Sequence, residues 1–150
     1  MARVKVSEQP DTPMECVAAL IVRDRALLAE ERKLTKKVAP GAVALPGGHV
    51  EPGESLKDAL RRELSEELEI VPLDPRYLCT LLHRSQEFRK LHYFVVSRWT
   101  GTIRSHEAAS LRWLPIAEPE RLDLDVDRLA VAEYRRVYQD ARDPTPRQAS

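Results

Sequence analysis

Apolar residues run unbroken from Cys16 to Val22, and a second run, Ala26 to Ala29, follows the polar triplet Arg23-Asp24-Arg25. Two short apolar runs around a polar turn predict a β-hairpin entering the fold. A basic, polar stretch from Glu30 to Lys37 leads through Pro40 and Gly41 into a short apolar strand, Ala42 to Leu45, and the turn Pro46-Gly47-Gly48. The period then changes. Leu56, Leu60, Leu64 and Leu68 recur at helical spacing, Ser55 stands where it can cap with Asp58 three positions on, and Pro72 closes the segment. A helix is predicted from Ser55 to about Leu68. Tyr77 to His83 and Leu91 to Trp99 read as a second hairpin around Arg84 to Lys90, with another short strand at Leu111 to Leu114. A final amphipathic helix, about Asp127 to Tyr138, is expected to present Leu129, Ala132 and Val137 to the sheet, and the tail from Asp143 to fray. The order of elements predicts an α/β fold on a mixed sheet. No repeat or linker divides the chain, so residues 1–150 are read as one domain with a core of about 14–141 and flexible ends.

Composition narrows the function. Lys plus Arg and Asp plus Glu number 24 each, and aromatic residues are 5% of the chain. A neutral chain poor in aromatics lacks the basic face and stacking platforms of a module for nucleic-acid polymers. An anionic ligand must therefore be met by a local site. The first 14 residues carry no signal-like apolar stretch, and the run from Cys16 to Val22 is too short to span a bilayer, so a cytoplasmic protein without a membrane partner is expected. Cys16 and Cys79 have no second Cys or His at metal-ligand spacing and are read as buried, reduced thiols.

The chemistry concentrates between Gly41 and Ile70. Four of the five glycines lie between Gly41 and Gly53, where backbone can approach a ligand closely. On the helical wheel Glu63 and Glu67 fall inside or beside the leucine stripe, which aims two acids at partly buried ground. Buried carboxylates require a counter-charge, from a divalent cation or from the guanidinium of Arg62. Glu66 completes a one-turn cluster, with Arg62 four residues before it. A hard, oxygen-preferring ion suits this cluster better than zinc. Taken alone, RRELSEELE is more often the pattern of a solvated, salt-bridged face.

The spacing as a whole resembles the Nudix box, G-x5-E-x7-R-E-U-x-E-E-x-G-U with U apolar, from Gly48 through Glu54 and Arg62-Glu63 to Ile70. One fixed position departs: Glu69 stands where the family has glycine, at the point where a left-handed residue ends a helix. The resemblance implies an α/β/α sandwich with the sheet between the box helix and a C-terminal helix. It implies a pyrophosphohydrolase of the MutT-like type that uses Mg²⁺, with Mn²⁺ as a substitute. Glu63, Glu66 and Glu67 match metal ligands, and Gly47 matches a backbone ligand just ahead of Gly48. Arg62 matches the structural arginine of the box and Glu54 a loop brace. The general base is taken in the family either from the helix, here Glu63, or from a later loop. Glu107, six residues before Trp113, is the loop candidate and a further ligand by the same likeness.

Substrate contacts are expected from Arg32 at the end of the second strand, from Gly48, and from Asp125 and Asp127 at the start of the last helix. For the two aspartates helix capping is the stronger reading. A nucleoside triphosphate split to monophosphate and pyrophosphate is the preferred substrate. Nucleotide sugars, ADP-ribose and dinucleoside polyphosphates stay open, as does a non-catalytic nucleotide sensor, because the box specifies the diphosphate and not its substituents. A homodimer is compatible with the sequence.

Overall fold

The computed structural model describes residues 12–140; the two chain ends, and with them the expected frayed tail from Asp143, lie outside the described residues. Among the described residues nine strands and two α-helices follow in order: β1 (Met14–Arg23), β2 (Ala26–Glu31), β3 (Val43–Ala44), β4 (Gly47–His49), α1 (Leu56–Leu68), β5 (Val71–Pro72), β6 (Arg76–Arg84), β7 (Phe88–Val96), β8 (Trp99–Thr100), β9 (Ser110–Pro115) and α2 (Asp125–Arg135). A 3₁₀ turn, Pro119–Arg121, precedes α2, and a π-helical turn, Arg136–Asp140, follows it.

β1 is the centre of the sheet. It runs parallel to β7 from Met14 to Ile21, while β6 and β7 form an antiparallel hairpin. Its other edge is shared: Cys16 to Ala18 pair with β4, and Val22 and Arg23 pair with β2, which also carries β3 and β9. The sheet is thus mixed, as expected. β5 and β8 form a separate two-stranded ribbon.

The unbroken apolar run of β1 follows from this position, because a central strand covered on both faces must be apolar at every residue. Cys16, Ala18, Leu20 and Val22 pack into a core with Val126, Ala130 and Val131 of α2. Val17, Ala19 and Ile21 face the other way, against Ala59, Leu60, Leu64 and Leu68 of α1. One helix on each face makes the α/β/α sandwich. Cys16 is buried and Cys79 half-buried, both as free thiols.

The last helix corrects the sequence reading. Leu129, Ala132 and Val137 are exposed, and the face turned to the sheet is Val126, Asp127, Ala130 and Val131. The expected face avoided burying an aspartate; tertiary hydrogen bonds make that burial tolerable and turn the helix round. Glu30 and Glu31 likewise belong to β2 and not to the polar stretch after it.

α1 begins and ends as its sequence suggests. The Ser55 hydroxyl accepts from the Asp58 amide at 3.1 Å. Glu69 ends the helix in the left-handed conformation at φ 60 and ψ 33, and its amide donates to Leu64 and Ser65 carbonyls. A left-handed non-glycine residue costs about 1 to 2 kcal/mol, and an added glycine loosens the unfolded chain by about 0.4 to 1 kcal/mol. Glu69→Gly is therefore expected to stabilise the protein by up to about 1 kcal/mol, read as a higher urea midpoint at unchanged m. A lower midpoint would show that the contact between the Glu69 carboxylate and His106 outweighs the backbone strain.

Candidate active site

Three hydrogen-bonded supports bring the site residues together. The first is Arg62 on α1. Its guanidinium donates to Glu54 at 2.8 and 3.1 Å, to Glu63 at 3.0 Å, to Glu66 at 3.2 Å and to the His49 carbonyl at 2.9 Å. One rigid fork thus ties the glycine turn, the loop before α1 and two helix acids into one unit. Glu54 also accepts from the Glu51 amide at 2.9 Å, which makes it a brace of the loop. The hydrogen bonds from Arg62 and the Glu51 amide hold the Glu54 carboxyl below its ordinary range.

The second support delivers Glu107. The amides of Arg104 and His106 donate to the Leu68 and Glu67 carbonyls at 3.0 Å each, which satisfies the end of α1 with a distant loop. The Ala109 amide then donates to the Glu31 carbonyl at 2.8 Å, joining the same loop to β2. Glu107 is held between these anchors, and Lys36 approaches it to 3.8 Å.

The third support is the glycine pair of β4. A Cβ on Gly47 would lie 2.1 Å from the Val17 carbonyl oxygen, so only glycine allows β4 to lie against β1 there. A Cβ on Gly48 would lie 2.3 to 2.4 Å from the carboxyl group of Glu63, so the missing side chain is the space Glu63 fills.

Together these supports line a cavity of about 390 Å³. Its acidic end holds Glu63, Glu66, Glu67 and Glu107, with Glu30 of β2 beside them. Glu67 is only 3% exposed. Burial pushes its carboxyl well above the usual carboxylate range, and a hydrogen bond with Glu63 and the charges of Glu30, Glu63 and Glu107 push the same way. Burial also raises Glu30, against a hydrogen bond shared with Glu67. Glu67 and Glu30 thus form a buried carboxyl pair whose ionisation a cation would relieve.

Of the other predicted residues, Arg32, Gly47, Gly48 and Asp127 line the same cavity. Arg32 donates through Nε to the Val38 carbonyl at 2.9 Å, fastening the loop after β2. Asp127 is buried at the far end, where it accepts from the Tyr93 hydroxyl at 2.8 Å and from the Leu45 amide at 3.1 Å. Burial pushes its pKa up to about 6, against those two hydrogen bonds. Neither aspartate caps the helix: Leu124 is the N-cap, without a side-chain bond. Asp125 is not brought to the cavity; its carboxylate lies 3.6 Å from His83 over a shallower hollow.

Glu30 and Arg89 are among the charged cavity residues missed from sequence. Arg89, on β7, has a buried Nε without a partner. Glu30 was legible as the residue two beyond Leu28 on one strand face. Arg89 carried no local signal.

Among the described residues, no three acid, His or Cys side chains converge on one point at metal-ligand distance. The donors nevertheless fit a hard cation: all are carboxylates, they are mutually repelling, and one buried oxygen, Oε2 of Glu30, has no partner.

Comparison with known proteins agrees with this geometry. The NUDIX domain model matches residues 12–139. CTP pyrophosphohydrolase of Escherichia coli is 38% identical over 101 residues, covering 67% of this chain and 74% of the relative. The 8-oxo-dGTP diphosphatase of Buchnera aphidicola is 31% identical over 98 residues, covering 65% and 73%. The solution structure of the E. coli ORF135 protein superposes with a TM-score of 0.72 at 30% identity, over 88% of this chain and 94% of that one. The chain belongs to the NUDIX domain family and is a MutT-like hydrolase, a pyrophosphohydrolase acting on a nucleotide substrate. Membership implies a divalent metal cofactor in general. Among the described residues, no helix is long and apolar enough to cross a membrane.

Proposed function

We propose that this protein hydrolyses a nucleoside triphosphate to the monophosphate and pyrophosphate with Mg²⁺, or Mn²⁺ in its place, held by Glu63, Glu66, Glu67, Glu107 and the Gly47 carbonyl. The observation that carries the reading is the polarity of the cavity. Its acidic residues suit a metal-bound polyphosphate, while Leu45, Leu91 and Val126 add apolar surface to the same cavity, with Arg89 and Asp127 as polar groups for a base. The relatives' names, a CTP pyrophosphohydrolase and an 8-oxo-dGTP diphosphatase, favour the same substrate class.

When bound, divalent ions would acidify the attacking water and neutralise charge on the phosphoryl oxygens. The chain's own residues do the rest. Arg62 fixes the orientation of Glu63 and Glu66, and Arg32 and Lys36 border the phosphate end with positive charge. Glu107 is the freer base, because Glu63 accepts from Arg62 at 3.0 Å whereas the Lys36 ammonium stays 3.8 Å from Glu107.

A panel of nucleoside triphosphates, nucleotide sugars, ADP-ribose and dinucleoside polyphosphates, assayed with Mg²⁺ and product identification, tests the assignment. The expected result is a triphosphate as best substrate with pyrophosphate as product, and a Glu107→Gln variant with kcat reduced far more than KM changes. Orthophosphate released from the γ end would overturn the chemistry. Faster turnover of a nucleotide sugar or ADP-ribose would overturn the substrate.

A further inference from the structure

The acids assigned above come from one helix and from the loop that carries Glu107. Glu30 stands on the sheet, on β2, and its surroundings have no place in that account. It is 6% exposed, inside a strand whose backbone is paired on both edges, with Ala44 on one side and Leu111 on the other. That double pairing fixes which way its side chain points. Residues two apart on a strand share a face, and Leu28 lies in the core against α1, so Glu30 is aimed at α1 as well. One side of its carboxyl group meets Glu67, while Oε2 is buried with no hydrogen-bond partner.

The neighbouring charged groups are occupied. Glu31, on the opposite face, has Ser110 at 3.0 Å and Arg112 at 3.1 Å. Arg32 is fastened to the Val38 carbonyl and Lys36 approaches Glu107. A buried carboxylate with an orphaned oxygen, set against another carboxylate, is a poor way to stabilise a fold; leucine or glutamine there would satisfy the core better. The arrangement makes sense for a group that completes its coordination outside the protein.

We propose that Glu30 is a further carboxylate ligand of the divalent-metal site, supplied by β2 opposite α1, so that the ion or ions are gripped between sheet and helix. The proposal rests on the divalent-ion reading given above. An all-oxygen set drawn from two secondary elements suits Mg²⁺ or Mn²⁺, and the rigid strand ligand fixes how far from the sheet the ion sits.

The test is Mn²⁺ binding by metal-free wild type, Glu30→Gln and Glu30→Ala, followed by the electron paramagnetic resonance of free Mn²⁺ and by melting in EDTA and in Mn²⁺. Both variants are expected to bind Mn²⁺ about ten- to a hundredfold more weakly, or to lose one bound ion. Both should melt in EDTA no lower than wild type, since removing the charge removes its burial cost, and both should gain less from Mn²⁺ than wild type does. Unchanged Mn²⁺ affinity and stoichiometry in the variants would overturn the proposal and leave the helix site standing. A collapse of both variants in EDTA would also overturn it, by making Glu30 a structural residue. Wild type that binds no Mn²⁺ would overturn the divalent-ion reading itself.

Discussion

Glu67→Gln is expected to lower kcat by roughly three orders of magnitude, about 4 kcal/mol of transition-state stabilisation, with the fold intact. Glutamine keeps the shape of the buried side chain and removes the charge. In the metal-free protein ionising that group is costly: Glu67 is 3% exposed and faces Glu30, Glu63 and Glu107. The variant should therefore melt in EDTA at or above the wild-type temperature while losing turnover in Mg²⁺. Opposite signs for stability and activity distinguish a ligand from a core residue. Near-normal turnover by the folded variant would sink the assignment of Glu67.

The adjacent glycines should fail in opposite ways. A Cβ on Gly47 meets backbone, 2.1 Å from the Val17 oxygen and 2.8 Å from the Ala18 Cα, in the most buried strand of the sheet. Gly47→Ala must therefore push β4 off β1, at a cost of about 3 kcal/mol or more. A Cβ on Gly48 meets the far end of a flexible side chain, the carboxyl of Glu63. Gly48→Ala should cost about 1 kcal/mol or less, because Glu63 can swing aside, yet that swing breaks its 3.0 Å contact with Arg62. A fall in kcat of about a hundredfold or more is expected at near-normal stability. Urea melts beside steady-state kinetics for both variants decide it. Wild-type kcat in Gly48→Ala would show that Glu63 acts from more than one position.

The elements that were legible share one property: their signal is local. The β1–β2 hairpin, the Ser55 cap and the leucine stripe of α1 each depend on residues within a few positions of one another. The box acids were legible for the same reason, since Glu63, Glu66 and Glu67 occupy little more than one turn of a helix. The face of α2 failed because it turns on Asp127, whose burial depends on Tyr93 and Leu45, 34 and 82 residues away. Sequence periodicity charges the full cost of burying that aspartate; the fold supplies the hydrogen bonds that offset it.

The sequence by itself determined the α/β class and the carboxylate helix, because helical spacing sets those acids on one patch, and the box spacing from Gly48 to Ile70 carried the resemblance from which the hydrolytic chemistry was read. Only the tertiary structure decided what stands opposite that patch. Glu107 reaches it because two loop amides satisfy the end of α1, Glu30 because β2 is paired on both edges, and Arg89 and Asp127 because β7 and α2 close the far end. These residues are far from the box along the chain, and no local pattern records a neighbour made by sheet pairing. The box is a property of one short stretch of chain, while the cavity it lines is a property of the whole sandwich.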